Sequence, residues 1–221
     1  DCACSSAGAK PAADSLAFAW GDNSCGQCLT GDARPSVPEP RHVPLRCSCA
    51  SLCCGSRCSL LVTRHGTLWG GGLNAGGTLS EAKGAGPLPG PSYVDLAELE
   101  SLGLAAVAAG GGHLLAAAEN GSLLSWAASN EQGQAGVGTE LTREGPVSPR
   151  APAWPPRALR HAVRAATVAC GEDHSLVLTE GGEAYSFGSN ACGQLGLGEA
   201  VAQAPAPTAI GGRLRGLPLR A

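Results

Sequence analysis

The chain has no methionine, and its 221 residues begin at Asp1. The expectation is a processed start or an excerpt of a longer protein, so that any targeting signal lies outside view. Charge is scarce as well: 15% of residues are Asp, Glu, Lys or Arg, the net charge is −3 and the sequence pI is near 5.9. Binding to a phosphate backbone needs a clustered basic face, and this balance supplies no such footprint, so nucleic acid is a poor candidate partner. Long apolar runs are missing too. The densest, Leu104–Ala109, stops at a glycine triplet, short of the roughly 18 residues that cross a bilayer, and the chain reads as soluble with no membrane span. Catalytic signatures are also lacking. There are no paired carboxylates, no phosphate-cradling Gly-x-x-x-x-Gly-Lys and no nucleophile elbow, and His42, His65 and His161 have no partner at motif spacing. No catalytic residue and no cofactor is assigned.

What is present in excess is glycine, at 33 residues, and proline, at 16, beside a hydrophobic fraction of 43% that suffices for a core. That combination calls for many turns and short elements. The turns recur. Asn190, Gly193 and Gln194 repeat a signature seen at Asn23, Gly26 and Gln27 and at Asn130, Gly133 and Gln134; Asn74 and Gly77 make a fourth copy with Thr78 in place of Gln. The Asn positions advance by 51, 56 and 60 residues, a period that signals stacked supersecondary units.

Two further marks keep the same register. Pro-x-x-aliphatic recurs at Pro40/Val43, Pro91/Val94, Pro156/Leu159 and Pro207/Ile210; Gly-x-x-His recurs at Gly110/His113 and Gly171/His174, with Cys58 after Gly55. Each proline is read as opening a strand, because it cannot donate within a ladder. After each His slot an apolar run, a turn (His65-Gly66, Asn120-Gly121, Gly181-Gly182) and a second apolar run predict an antiparallel hairpin. Leu96, Leu99 and Leu102 lie at helical spacing, so a short helical turn is expected there. The register nevertheless puts Ala105–Ala109 on a strand, since Leu52 and Val168 hold the place of Val107. Thr30–Pro38, Glu81–Gly90 and Thr139–Pro155 read as loops. Trp154, near the end of the last, is a candidate partner-binding anchor, weighed against folding back onto the neighbouring sheet.

Eleven cysteines raise the question of metal or disulfides. A zinc ion would take Cys47, Cys49, Cys53 and Cys58. Against it, Cys25 and Cys192 share one repeat slot, while Cys54 and Cys170 share another with Ala109, as small buried residues do. Reduced thiols in an intracellular protein, cytoplasmic or nuclear, and no metal are the preferred reading.

With Trp20-Gly21-x-Asn23-x-x-Gly26-Gln27, Gly171-x-x-His174-Ser175-Leu176 and Phe187-Gly188-x-Asn190-x-x-Gly193-Gln194 in view, residues 16–210 resemble the regulator of chromosome condensation repeat family. The resemblance implies an all-β fold, a β-propeller of the seven-bladed type with four-stranded antiparallel blades, here about three to four of them. It also implies that the repeat Gln and His side chains bond buried loop backbone. The landmark count divides the chain at about 16–68, 69–124, 125–184 and a partial 185–210, with tails at 1–15 and 211–221. Thr78, Cys58 and Gly71, where Phe187 stands later, mark the second repeat as degenerate. A non-catalytic scaffold for protein partners is the expected function, and a guanine-nucleotide exchange factor for a small GTPase is the alternative. A relative that senses ultraviolet light through clustered Trp is a weak parallel, since only Trp20 occupies the repeat's Trp-Gly slot. Terminal units of an excerpt would leave apolar faces and strand edges uncovered, so self-association is expected.

Overall fold

A computed structural model describes residues 16–45, 48–74, 78–79, 86–94, 102–138, 141–142, 145–146, 153–159, 164–214, 217 and 219. Among the described residues its elements are strands and a 3-10 turn at Gly212–Leu214. Strands β1 (Phe18–Asp22) and β2 (Ser36–His42) form a two-stranded unit. Strands β3 (Cys49–Cys54), β4 (Cys58–Thr63), β5 (Leu68–Leu73) and β6 (Pro87–Tyr93) make a four-stranded sheet in sequence order. The next consists of β7 (Leu104–Ala109), β8 (His113–Ala118), β9 (Leu123–Ala127) and, beyond a small hairpin of β10 (Leu141–Thr142) and β11 (Gly145–Pro146), β12 (Ala153–Ala158). The last comprises β13 (Ala165–Cys170), β14 (His174–Thr179), β15 (Ala184–Ser189) and β16 (Gln203–Ala209). All pairings within these sheets are antiparallel. The architecture is that of propeller blades. Counted by sheets, the incomplete unit comes first, whereas the landmark count puts a partial unit at 185–210. The two schemes differ in phase, because the turns that begin at Asn74, Asn130 and Asn190 fall inside a sheet, between its third and fourth strands, and the one at Asn23 joins β1 to β2.

The register is right about Ala105–Ala109, which lies on β7 despite its alanine content; of the helical spacing before it, Leu96 and Leu99 fall outside the described residues. The outer strands differ from the sequence reading. Pro40, Pro91, Pro156 and Pro207 do not open strands but lie within β2, β6, β12 and β16, and stretches read as loops (Ser36–Pro38, Pro87–Gly90, Ala153–Pro155) are strand. In each case the pairing register shifts across the proline, between Ala19 and Gly21 opposite β2 and at the corresponding point of the other three ladders. A bulge on the outermost strand is where a residue without an N–H costs least. The aliphatic three residues on then closes the strand: Val43, Val94, Leu159 and Ile210 each donate their N–H to Ala17, Leu68, Leu123 and Ala184 carbonyls at 2.8–2.9 Å.

Three apolar cores lie between consecutive units. Ala17, Leu29 and Val43 meet Leu61 at the first junction; Leu60, Leu68 and Leu79 meet Leu114, Leu124 and Trp126 at the second; Leu115, Ala135 and Val137 meet Val177 and Phe187 at the third. Trp126 and Phe187 are fully buried. At each junction the two facing sheets therefore bury apolar surface against one another, as repeat folds do.

Candidate functional site

The loop after each innermost strand and the Asn-x-x-Gly turn emerge at the same end of every sheet. They are tied together there: Leu73, Ala128 and Ser189 donate their N–H groups to the carbonyls of Arg57, Gly112 and Asp173 at 2.7–3.0 Å. This rim is the candidate site, and its lower layer is built from the repeat residues. Asn23, Asn74, Asn130 and Asn190 accept, through Oδ1, the N–H of the residue five positions on, at 2.6–2.9 Å. Gly26, Gly133 and Gly193 close the turn onto the Asn carbonyl with positive φ, and the Gln27, Gln134 and Gln194 side chains accept the N–H two residues back at 2.8–3.0 Å. Such bonds remove the cost of unpaired turn amides. Gly77 lies outside the described residues.

Gly-x-x-His works through contact. The His113 and His174 rings fold back over Gly110 and Gly171, so closely that a Cβ on either glycine would collide with the imidazole. Gly55 is held the same way by Cys58 Sγ and Ala109. Gly21, Gly72 and Gly188 begin the approach to the turn at φ values of 103–110°. The resemblance implied loop backbone as the partner of His; His113 Nε2 instead meets the Ser175 hydroxyl of the next sheet at 2.9 Å, and that hydroxyl donates to the Gln134 carbonyl at 2.8 Å. Burial pushes the His113 pKa down to about 4, with His174 nearby adding to the effect. A buried, neutral imidazole serving a joint is not placed for acid–base work.

The same turn carbonyl is capped from the following sheet at every junction. Ser59 Oγ donates to Gln27 O at 2.7 Å and Ser175 Oγ to Gln134 O; at the middle junction, where Leu114 replaces the serine, the Trp126 indole N–H donates to Thr78 O at 3.0 Å. Packing above it is equally reciprocal. Phe187 covers Gly136, where a Cβ would come within 2.7 Å of the ring, while at the first junction the aromatic slot is Gly71 and Leu29, in the slot of Gly136, fills the space from the other side. Leu29 holds that place at φ 57°, alone among described non-glycine residues. Sequence reasoning missed Ser59, Ser175, Leu29 and Trp126. The available signals were a serine after the His slot in two of three copies and a leucine where two glycines recur.

The upper layer varies from sheet to sheet. Ser56 and Arg57 are exposed above the second sheet, Gly111 and Gly112 stand above the third, and Glu172 and Asp173 are exposed above the fourth. Of the candidate zinc ligands, Cys49 packs against the first core, Cys53 and Cys58 pack together against the second, and Cys47 lies outside the described residues. Burial raises the Cys58 thiol to about 11 and that of Cys170 to about 12, keeping both protonated. Trp154 falls on β12. The serine that His113 meets is fully buried and donates its hydroxyl to the Gln134 carbonyl, so the pair is not set up as nucleophile and base.

Residues 165–194 match the Regulator of chromosome condensation (RCC1) repeat. The chain is 34% identical over 143 residues to human "Probable E3 ubiquitin-protein ligase HERC3", covering 65% of this chain and 13% of that protein. To human "Probable E3 ubiquitin-protein ligase HERC6" it is 32% identical over 181 residues, covering 81% of this chain and 17% of the relative. It therefore spans under a fifth of these curated relatives. Human WBSCR16 matches over 92% of this chain and 55% of its own, with a TM-score of 0.77 at 26% identity. Prp20p from Saccharomyces cerevisiae matches over 90% and 47%, at 0.74 and 24%, a likeness of fold.

Proposed function

Because the chain belongs to the regulator of chromosome condensation repeat family, we propose that residues 16–210 form a non-catalytic platform that binds protein partners through the rim at the Asn-x-x-Gly end. The observation that carries this reading is the two-layer rim. The repeat residues are used up in joints below it, and the residues above them differ in charge from sheet to sheet, from Arg57 to Gly111 to Glu172. Recognition on a rigid repeat scaffold resides in such variable loops. The eight described cysteines are free thiols, which supports an intracellular setting.

The test is capture of partners by the wild-type chain and by a rim variant carrying Arg57→Glu and Glu172→Lys, with thermal melting as the fold control. Altered partner binding at an unchanged melting temperature supports the rim; unchanged binding removes it. Exchange-factor activity is the second reading. The solved structure of Prp20p is described together with its binding to Gsp1p and histones, and the fold is shared. Exchange requires tighter binding to the nucleotide-free GTPase, not an acid or base. Release of labelled GDP from a panel of small GTPases separates the readings, since a scaffold accelerates none of them.

A further inference from the structure

The three junctions do not close alike at the rim. Where the second and third sheets meet, the wall positions are Thr78, Gly111 and Gly112; the same slots hold Gln27, Ser56 and Arg57 at the first junction and Gln134, Glu172 and Asp173 at the third. Side chains are thus cut back together at one place. A cleft of about 30 Å³ opens there, lined also by Cys58 and Leu114 and with Arg57 exposed at its edge. It has room for the tip of one side chain. Nothing in the backbone demands glycine at position 112, whose φ lies outside the left-handed region and where a Cβ would come no nearer than 4.0 Å to Ser129. What the missing side chain does is keep the cleft open.

The two banks of the cleft carry opposite charge. Arg57 makes no ion pair among the described residues, although Arg34, Arg41 and Arg164 all do. Beyond the glycines, the Glu172 carboxylate rests against Gly111, and Asp173 is exposed beside it. We propose that an extended segment of a partner protein lies across Gly111 and Gly112, with an acidic side chain entering the cleft beside Arg57 and a neighbouring basic side chain on the Glu172–Asp173 bank. This rests on the rim as the binding face and names the chemistry of what it binds. Glycine lets the partner's backbone approach closely. A guanidinium–carboxylate contact beside Leu114 is sheltered on one side from water, which strengthens it over an open surface pair. The polarity also sets direction, since a segment of one charge sign would meet like charge on one bank.

The test is selection of a displayed library of random linear peptides on the full chain, counter-selected against Gly112→Leu. That variant fills the cleft without disturbing the fold, because Arg57 and Asp173 carry side chains in the same slot natively; an unchanged melting temperature checks it, and Thr78→Gln, which restores the wall of the other junctions, stands in should it melt early. Sequences that depend on Gly112 are expected to pair an acidic residue with a basic one. In fluorescence anisotropy with such a peptide, Arg57→Gln should weaken binding about tenfold, as should converting the peptide's acid to its amide, and the two changes together should cost little more than either alone. A library without Gly112-dependent sequences, Gly112-dependent sequences lacking either charge, or additive losses would overturn the proposal. Peptides that ignore Gly112→Leu but are lost on Arg57→Glu with Glu172→Lys would remove the cleft and leave the rim as the binding face; peptides indifferent to every variant would remove both.

Discussion

The junction between the second and third sheets and the junction between the third and fourth solve one problem with different chemistry. Each must cap the turn carbonyl of the earlier sheet from the later one. The third-to-fourth junction uses a polar relay, His113 to Ser175 to Gln134 O, beneath Phe187 packed on Gly136. The second-to-third replaces every member of it: Cys58 for the histidine, Leu114 for the serine, Thr78 for the glutamine, with Trp126 supplying both the apolar cover and the donor. A position that looks degenerate in one repeat is thus one part of a coordinated change. An unmatched half would leave a buried carbonyl or imidazole without a partner, at about 1–3 kcal/mol.

The largest expected effect comes from emptying the aromatic slots. Trp126→Ala and Phe187→Ala should each cost about 3–5 kcal/mol in denaturant unfolding, since both rings are fully buried. Trp126→Phe separates the two junctions: it keeps most of the packing but removes the indole donor to Thr78 O, and should cost more than Phe187→Leu, which removes no hydrogen bond.

Next in size is pH. The folded-state pKa of His113, about 4, lies below its ordinary value of 6.5, so the unfolded chain takes up the proton first as pH falls. Stability is full above about pH 6.5, declines between there and about pH 4, and then levels, a loss of about 3 kcal/mol. Transplanting the middle junction by His113→Cys with Ser175→Leu should flatten this dependence in urea titrations at pH 7.5 and 5.

How much of this was legible in the sequence depends on where each residue makes its contact. Turns built within a few residues were readable, because Asn190 and Gln194 bond amides five and two positions away. The inner strands and hairpins were readable from apolar runs around Gly66, Gly121 and Gly182. The outer strands were not, since proline and glycine placed in bulges look like loop chemistry. Nor were the joints: His113 and Ser175 are 62 residues apart, and the exchange of Leu29 for an aromatic over Gly71 makes sense only once the two units touch.

Smaller effects sharpen the contrast further. Ser175→Ala should cost about 1–3 kcal/mol by leaving Gln134 O and His113 Nε2 unpaired, whereas Leu114→Ala at the middle junction should lose packing alone and show no pH component. Gln134→Ala, which removes the acceptor for the Gln132 amide, should cost about 1 kcal/mol, read as a shift in the urea midpoint at constant slope.

The most direct test of the repeat residues as joints is an NMR titration of the His113 imidazole in the full chain. A ring locked on Ser175 between two sheets should stay neutral down to about pH 4, with its ring resonances unmoved between pH 8 and 5. Titration near 6.5, as for an exposed histidine, would contradict the buried relay and return His113 to the pool of residues available for function.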